Sequence, residues 1–411
     1  VTSFDYDEAG NLIEIEDPVG RITEQAFDEL NRLASITDPA LSLTELEYDD
    51  LDNLLSVTDP RALATSYAYN GFGEQVSQVS PDTGTSSSPR DPAGNLDTST
   101  DARNETGTYT HDALNRVTEI EYGDDTVTLG YDAGTNGHGR LTSVANGASN
   151  TSFSYDAVGR VTERSQTIGS VTLDVGYAYD SYGRLESLTT PSGQVLSYEY
   201  QDGRVSGLKI NGSYLLSDIS YQPFGPTTGW TWGNATTTSR VFDTDGQLVE
   251  VSSAGISNYT YNDDGTIATR SDDFASDLTW ADGTTTFAVS STSNRLQSAT
   301  GELSRSYGYD AAGNTTSDGS RTFTYNDAGR MKTSTAGGVT TTYSYNGLGE
   351  RVKKTYSSST PYFASDEAGH LIGEYDAAGD LVEETVWFGD IPVATLKPNG
   401  SGISVFYIHT D

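Results

Sequence analysis

The chain has 411 residues, with 23 basic against 59 acidic side chains and a formal net charge of −36 at pH 7. This charge excludes electrostatic steering to nucleic acid or to an anionic membrane surface, because both repel an acidic protein. The chain contains no Cys, which excludes disulfide scaffolds and cysteine nucleophiles. No segment approaches the roughly 18 consecutive apolar residues of a membrane-spanning helix, so membrane insertion is not expected.

A repeated motif runs along the chain from its first residues. It consists of an aromatic residue, Asp or Asn, a short loop with Gly or Asn, then Arg or Asn and an aliphatic residue, as in Y-D-E-A-G-N-L from Tyr6. The motif starts at residues 6, 27, 48, 69, 90 and 111, in steps of 21 residues, and continues in steps of 20 to 24 to Phe242. Arg90 and His111 interrupt the aromatic series. A fixed period over this length indicates a repeat architecture.

Each repeat has the pattern of a β-hairpin. Aromatic residues alternate before the loop, as in F-S-Y-D (153–156), and alternation at period two places both rings on one face of a strand. In the loop, Asp or Asn can accept backbone N–H bonds two residues on, and Gly tolerates a positive φ. The sequence therefore predicts an all-β chain of tandem hairpins. The expected structural motif residues are Tyr6, Asp7, Gly10, Phe27, Asp28, Tyr48, Asp49, Tyr69, Tyr155, Asp156, Gly159, Arg160, Tyr179, Asp180, Gly183, Arg184, Tyr309, Asp310, Gly313, Tyr325, Gly329 and Arg330.

The motif resembles the YD repeats of the RHS/teneurin family, most clearly in Y-D-A-V-G-R-V (155–161) and Y-D-S-Y-G-R-L (179–185). Residues 362–411 are similar to the stretch that leads into an RHS-associated core. The resemblance implies a strip of hairpins coiled into a spiral or a hollow β-shell. The expected organisation is a YD-repeat array over 1–361, continuous with the start of a core-like segment over 362–411.

The aromatic face of such a strip is expected to point inward. Tyr suits a wall that faces a wet interior, because its ring covers apolar area while its hydroxyl finds a partner. Tyr6, Phe27, Tyr48 and Tyr69 should then form a ladder of rings in contact. The alternative is a solid core between two sheets, which would favour Val, Ile, Leu and Phe.

Two segments depart from the motif. Ser80–Pro92 is rich in Ser, Thr and Pro and is predicted to be a long surface loop. Residues 221–235 contain two Pro and two Trp, which indicates a corner of the strip or an inward plug. The paired Trp230 and Trp232 could bind carbohydrate or fill the core.

No catalytic constellation is visible. The four His residues include no H-x-x-x-H pair, and no nucleophile elbow, phosphate-binding loop or zinc-protease motif is present. His111 occupies an aromatic motif position and His370 a turn position, so packing and turn roles are expected for both. Paired carboxylates recur in the loops, where turn capping accounts for them. These pairs are Asp49/Asp50, Asp124/Asp125, Asp263/Asp264 and Asp272/Asp273.

Calcium is the only metal that the composition suggests. Residues 49–53 and 261–266 are rich in oxygen ligands, but neither has the spacing of a known calcium loop. We therefore expect no catalytic residue, no metal site and no cofactor.

The leading functional hypothesis is a non-enzymatic β-shell that encloses or presents a C-terminal effector, as in polymorphic toxin scaffolds. The alternative is a secreted or cell-surface repeat protein that serves adhesion or assembles into filaments. A third hypothesis is a carbohydrate-active enzyme, which would need two carboxylates about 5 to 9.5 Å apart in a cleft. Candidate partners are an encapsulated effector, other copies of the chain, and a carbohydrate or cell-surface receptor. An extracellular location is expected.

Overall fold

The computed structural model describes residues 2–17, 20–243, 246–253, 255–262, 266–272, 284–357, 359–400 and 402–409. These residues form β-strands, turns and bends, and they include no helix. In particular, the described part of the chain offers no helix of the length and hydrophobicity that crossing a membrane requires. The prediction of an all-β chain is confirmed.

The chain divides into two compact units. Unit 1 comprises Val1–Asp125, Tyr261–Thr266 and Trp280–Gly338, and unit 2 comprises Thr126–Thr260, Ile267–Thr279 and Val339–Asp411. Each unit therefore combines an earlier and a later run of hairpins. The expected division between residues 361 and 362 stays a prediction.

Unit 1 contains two runs of strands. The first run is β1 (Ser3–Tyr6), β2 (Leu12–Glu16), β3 (Ile22–Phe27), β4 (Leu33–Thr37), β5 (Leu43–Tyr48), β6 (Leu54–Thr58), β7 (Ala64–Tyr69), β8 (Gln75–Ser80), β9 (Gly84–Ser87), β10 (Thr98–Thr100), β11 (Thr106–His111) and β12 (Val117–Glu121). Each of these strands pairs antiparallel with the next one along the chain.

Unit 2 begins with the strands that follow. They are β13 (Thr126–Tyr131), β14 (Leu141–Ala145), β15 (Asn150–Tyr155), β16 (Val161–Ile168), β17 (Val171–Tyr179), β18 (Leu185–Thr189), β19 (Val195–Gln201), β20 (Arg204–Ile210), β21 (Ser213–Tyr221), β22 (Thr227–Trp232), β23 (Thr237–Phe242), β24 (Leu248–Ser252), β25 (Ile256–Tyr261) and β26 (Ile267–Asp272). Strands β13 to β25 again pair in chain order.

The later runs complete the two units. Unit 1 adds β27 (Thr285–Val289), β28 (Leu296–Gly301), β29 (Arg305–Ser306), β30 (Gly308–Tyr309), β31 (Thr315–Ser317), β32 (Thr322–Tyr325) and β33 (Met331–Ala336). Unit 2 adds β34 (Val339–Tyr345), β35 (Arg351–Tyr356), β36 (Tyr362–Ser365), β37 (Leu371–Tyr375), β38 (Leu381–Phe388), β39 (Ile391–Asn399) and β40 (Gly402–Tyr407). In unit 2, pairing in chain order passes from β35 through β36 to β37 without a break.

The interiors of the two units differ. Unit 2 has a cluster of buried residues that includes Leu208, Leu216, Val393 and Leu396, each fully buried. Among the described residues of unit 1, by contrast, Ala299 is the sole buried hydrophobic side chain. The buried cluster of unit 2 consists mainly of Val, Leu and Ile, with Trp230, Trp232, Tyr177 and Tyr375, so Tyr does not predominate in it as expected from the sequence.

The prediction of a long surface loop over Ser80–Pro92 is wrong. Within Ser80–Pro92, residues Gly84–Ser87 form β9, which pairs with β8 in the register Ser77↔Ser87 to Ser80↔Gly84. The Ser and Thr side chains that suggest a linker are also tolerated in a β-strand. The turn between β8 and β9 needs only a few residues. The segment therefore continues the hairpin array.

Candidate functional site

The motif loop is built around its acidic residue. In the loop after β3, the Asp28 carboxylate accepts the backbone N–H groups of Leu30 and Arg32, both at 2.9 Å, and the Nε of Arg32 at 2.7 Å. The backbone N–H of Arg32 is the largest of the effects that lower the pKa of Asp28. The register shifts between Ala26 and Phe27, so the loop closes with a β-bulge. The carboxylate is therefore fully used in holding the turn.

The fourth loop position needs a left-handed backbone. Gly10, Gly159, Gly183, Gly313 and Gly329 have φ values of 89°, 91°, 84°, 85° and 77°. Only Gly adopts such values without cost. Where Gly is missing, Asn31, Asp52 and Asn115 take its place with φ values of 61°, 67° and 60°.

Consecutive repeats are joined by one recurring set of contacts, which we call the inter-repeat contact. Asp156 binds the Nε of Arg160 at 2.6 Å, and the Arg160 guanidinium lies 4.3 Å from the centre of the Tyr179 ring in the next repeat. The Tyr179 hydroxyl returns to donate to the Val161 carbonyl at 2.9 Å. Burial raises the pKa of Tyr179. An ion pair, a cation–π contact and a hydrogen bond thus connect two hairpins.

The complete set recurs at Asp180, Arg184 and Tyr200, and its hydroxyl bond and its cation–π contact each recur in both units. The hydroxyl-to-carbonyl bond has lengths of 2.5 to 2.9 Å and joins Tyr69 to Leu54, Tyr155 to Leu141, Tyr200 to Leu185, Tyr221 to Val205, Tyr309 to Leu296 and Tyr325 to Thr315. The guanidinium lies over the next ring in the pairs Arg32–Tyr48, Arg140–Tyr155, Arg184–Tyr200, Arg204–Tyr221 and Arg295–Tyr309.

The remaining predicted motif residues occupy the corresponding loop positions. Three further loops have the Asp–Asn or Asp–Arg bond of the motif, namely Asp7–Asn11, Asp49–Asn53 and Asp180–Arg184. Asn314 binds Asp310 in the same way, and the Arg330 N–H donates to the Asn326 side chain.

The predicted ladder of rings in contact is wrong. Tyr6 is 61% exposed, because its strand β1 pairs only with β2 among the described residues. Phe27, Tyr48 and Tyr69 are half-buried at the ends of β3, β5 and β7, and none of the ring pairs among the described residues joins two of them. Motif strands alternate with a second strand, so their rings lie about 9.6 Å apart, beyond the roughly 4.5 to 7 Å of ring contact. Arginine and the tyrosine hydroxyl bridge that distance.

A histidine replaces the arginine in one inter-repeat contact. His370 binds Asp366 through Nδ1 at 2.9 Å and Asp390 through Nε2 at 3.0 Å, and it stacks on Trp387 with ring centres 4.8 Å apart. The Trp387 Nε1 donates to the Leu371 carbonyl at 3.0 Å, as a motif tyrosine would. Burial lowers the pKa of His370, but the hydrogen bonds to both carboxylates outweigh it and the pKa is raised. The turn role expected for His370 is therefore part of a larger contact.

Unit 2 also contains a buried carboxylate that the sequence did not single out. Glu384 is fully buried and accepts hydrogen bonds from the hydroxyls of Tyr375, Ser192 and Thr190 at 2.6, 2.7 and 2.9 Å, and from the Ser192 N–H at 3.1 Å. Burial is the main cause that raises the pKa of Tyr375. Four donors offset the cost of burying the charge. Only the alternation of β38, where Glu384 falls on the buried side, could have indicated it.

The structure arranges no metal centre in the described part of the chain. Within it, no group of three His, Asp or Glu residues is arranged to hold a metal ion. Asp49 in the oxygen-rich segment 49–53 binds its own loop at three points. Asp263, Asp264 and Asp273 lie outside the described residues, as does half of the second oxygen-rich segment, 261–266. His111 is half-buried at the end of β11.

The two tryptophans of β22 belong to the core of unit 2. Trp230 and Trp232 are 4% and 2% exposed, with ring centres 5.6 Å apart in an edge-on arrangement. A sugar-binding platform needs an exposed ring face, so the prediction that Trp230 and Trp232 bind carbohydrate is wrong. Of the two roles left open, core filling is the one that the structure supports.

Two family models match the chain. The model for the RHS repeat matches residues 6–41, 48–85 and 136–170, and the model for the teneurin YD-shell matches residues 226–368. Together they span well over half of the sequence and coincide with the hairpins described above. The chain is an RHS/YD-repeat protein. It belongs to a family of β-shell scaffolds.

The solved structures that match this chain include toxin complexes. A Tc holotoxin pore of Photorhabdus luminescens matches with a TM-score of 0.69 at 12% identity over 94% of this chain. The TcdB2–TccC3 complex matches with a TM-score of 0.71 at 14% identity over 100% of it, and TcdB2–TccC3–Cdc42 with a TM-score of 0.65 at 14% identity over 94%. In each case the chain spans 30% of the length of the matched chain. None of the curated proteins matches.

Proposed function

We propose that this RHS/YD-repeat chain is the wall of a β-shell that encloses or presents an effector encoded downstream, as a polymorphic toxin scaffold. The observation that carries the proposal is the match of nearly the whole chain to 30% of the length of the toxin-complex chains. A wall that retains cargo must resist local opening. The hydroxyl bond of the inter-repeat contact supports this role, because it joins successive hairpins at several places in both units.

The proposed wall does not catalyse a reaction itself. Its motif carboxylates are engaged in turns, as Asp28 and Asp156 illustrate, and a carboxylate that holds two backbone N–H groups is poorly placed to exchange a proton with a substrate. Glu384 is sealed from solvent by its four donors. These observations support a structural role, and they also weaken the hypothesis of a carbohydrate-active enzyme.

Residues 362–411 are proposed to begin the RHS-associated core. In unit 2 this segment supplies Ile372, Val386, Val393 and Leu396 to the buried cluster. A segment that leads from the wall towards an effector would need such anchoring. We further propose that the protein acts outside the cell, in keeping with the toxin complexes that share its fold.

Protease protection tests the proposal. The sample is the longest product of the coding region that contains this chain, treated with protease and then analysed by mass spectrometry under native and denaturing conditions. The expected result is a downstream fragment that survives with the wall and is digested once the wall is unfolded. A downstream fragment that is lost while the wall stays intact would overturn the proposal.

Negative-stain electron microscopy of the same sample addresses the alternative of a filament-forming surface protein. Discrete particles of one size are expected for a shell. Fibres that lengthen with protein concentration would refute the shell and support assembly of many copies.

A further inference from the structure

The loops along one edge of unit 1 carry exposed apolar side chains at equivalent positions. In four of the six motif loops between residues 7 and 116, the residue two places after the motif Asp or Asn is Leu30, Leu51, Phe72 or Leu114, and these side chains are 64%, 74%, 90% and 71% exposed. In the other two loops this residue is Ala9 or Ala93. We call Leu30, Leu51, Phe72 and Leu114 the tip row. Exposed apolar side chains that recur in a line indicate an interaction surface.

Direct contacts show that these loops lie side by side. Asn11 binds the Asn31 side chain at 2.9 Å, and Arg32 binds that of Asp52 at 2.8 Å. Each bond joins one loop to the next loop of the same edge. Successive loops of this edge are two strand spacings apart, so the tips Leu30, Leu51 and Phe72 are about 9.6 Å from one another. Leu114 lies beyond the loop of Ala93, at about twice that distance from Phe72.

A loop of the same motif, in the same unit, is covered by other residues and has a different tip. In the loop 326–330, Arg103 donates to the Asn326 and Asp327 carbonyls at 2.9 and 3.0 Å. Its tip residue is Ala328, and residues 327 to 329 are half-buried. The covered loop thus has a small tip and binds a guanidinium through its backbone carbonyls.

The surroundings of the tip row define the partner that fits it. Glu29, Asp50 and Asp52 are exposed beside Leu30 and Leu51, and the chain as a whole carries a net charge of −36. This charge opposes association of two copies. A basic partner that also presents apolar side chains would complement both features.

We propose that the tip row is a docking surface for a basic, amphipathic segment of a partner protein. Its arginines would lie against the acidic loops, as Arg103 lies against loop 326–330, and its apolar side chains would cover the tips. A helix rises about 1.5 Å per residue, so apolar residues seven positions apart recur about every 10.5 Å, close to the spacing of the tips. This inference does not depend on whether the shell encloses an effector.

The test measures binding of a fluorescently labelled helical peptide in which Leu recurs every seven residues between Arg residues. A peptide of the same composition in scrambled order has the same charge without the spacing. The expected result is at least tenfold tighter binding of the patterned peptide to the full chain at physiological salt. Equal binding of the two peptides would show simple charge attraction and would overturn the proposal.

Variants locate the site. The triple variant Leu30→Ser, Leu51→Ser, Phe72→Ser should weaken binding of the patterned peptide at least tenfold. Leu41→Ser is the matched control, because Leu41 is 84% exposed but lies in a loop of the opposite edge; its binding should equal that of the wild type. Glu29→Gln with Asp50→Asn should weaken binding and flatten its dependence on salt.

Two outcomes would refute the proposal. One is unchanged binding by the triple variant with an unaltered circular dichroism spectrum. The other is concentration-dependent self-association of the wild-type chain in sedimentation that the triple variant abolishes, because the tip row would then serve contact between copies.

Discussion

Removing one hydroxyl from the inter-repeat contact provides a direct measure of its contribution to stability. The substitution Tyr179→Phe keeps the ring beneath Arg160 at 4.3 Å but removes the donor to the Val161 carbonyl at 2.9 Å. Val161 is buried, so its carbonyl loses a partner that water cannot readily replace. A lost hydrogen bond of this kind costs about 1 to 2 kcal/mol in the free energy of unfolding. Tyr179→Leu also removes the cation–π contact and should cost roughly 1 kcal/mol more.

Urea unfolding followed by tryptophan fluorescence suits this measurement, because Trp230 and Trp232 are buried in the same unit as Tyr179. Tyr182→Phe is the control, since it makes the same chemical change at a side chain that is 83% exposed, and it should shift the free energy by less than about 0.5 kcal/mol. If Tyr179→Phe and Tyr182→Phe unfold at the same urea concentration, the hydroxyl does not join the repeats.

Three further predictions concern other parts of the motif. In thermal unfolding, Gly159→Ala should destabilise unit 2 more than Gly10→Ala destabilises unit 1. Both positions have a positive φ, 91° and 89°, but the new Cβ at position 159 would clash with the side chain of Arg140, whereas at position 10 no atom lies within 4 Å. Because the pKa of His370 is raised in the folded state, its stabilising effect should be complete below about pH 6.5 and decline as the pH rises through the folded value; NMR titration should show a lower pKa in Asp390→Asn. Glu384→Gln should lower the free energy of unfolding by roughly 3 kcal/mol or more, because the NH2 group of the new amide would face hydroxyls that donate to the carboxylate in the wild type. An unchanged melting temperature would contradict the assigned hydrogen bonds.

The local design of the repeat could be predicted from the sequence because it depends on neighbours within a few residues. The alternation of Y-A-Y-N, the capping Asp and the left-handed Gly each follow from backbone sterics and short-range hydrogen bonds. These determine the strands, the loops and the side of the strand on which Tyr69 or Tyr179 lies. Ser80–Pro92 is an exception, because its composition is typical of a loop, whereas the pairing of β9 with β8 depends on register and not on composition.

The contacts between repeats depend on the distances between motif strands, which the sequence alone does not give. The period of 21 residues predicts that motif side chains line up, but it does not say that a second strand separates them and moves Phe27 and Tyr48 beyond ring contact. That spacing is what allows arginine and a tyrosine hydroxyl to bridge the gap.

Only the tertiary structure decided which positions were buried by partners distant along the chain. Glu384 and Ser192 are 192 residues apart in the sequence, so no local pattern relates them. Only the folded unit brings together the donors that stabilise this buried carboxylate. The sequence by itself determined the family, the hairpin and the all-β class, because a repeat restates its local rules every 21 residues. The tertiary contacts of the folded chain decide which motif loops are covered and which stay exposed. The loop of Ala328 is covered, and the loop of Phe72 is exposed.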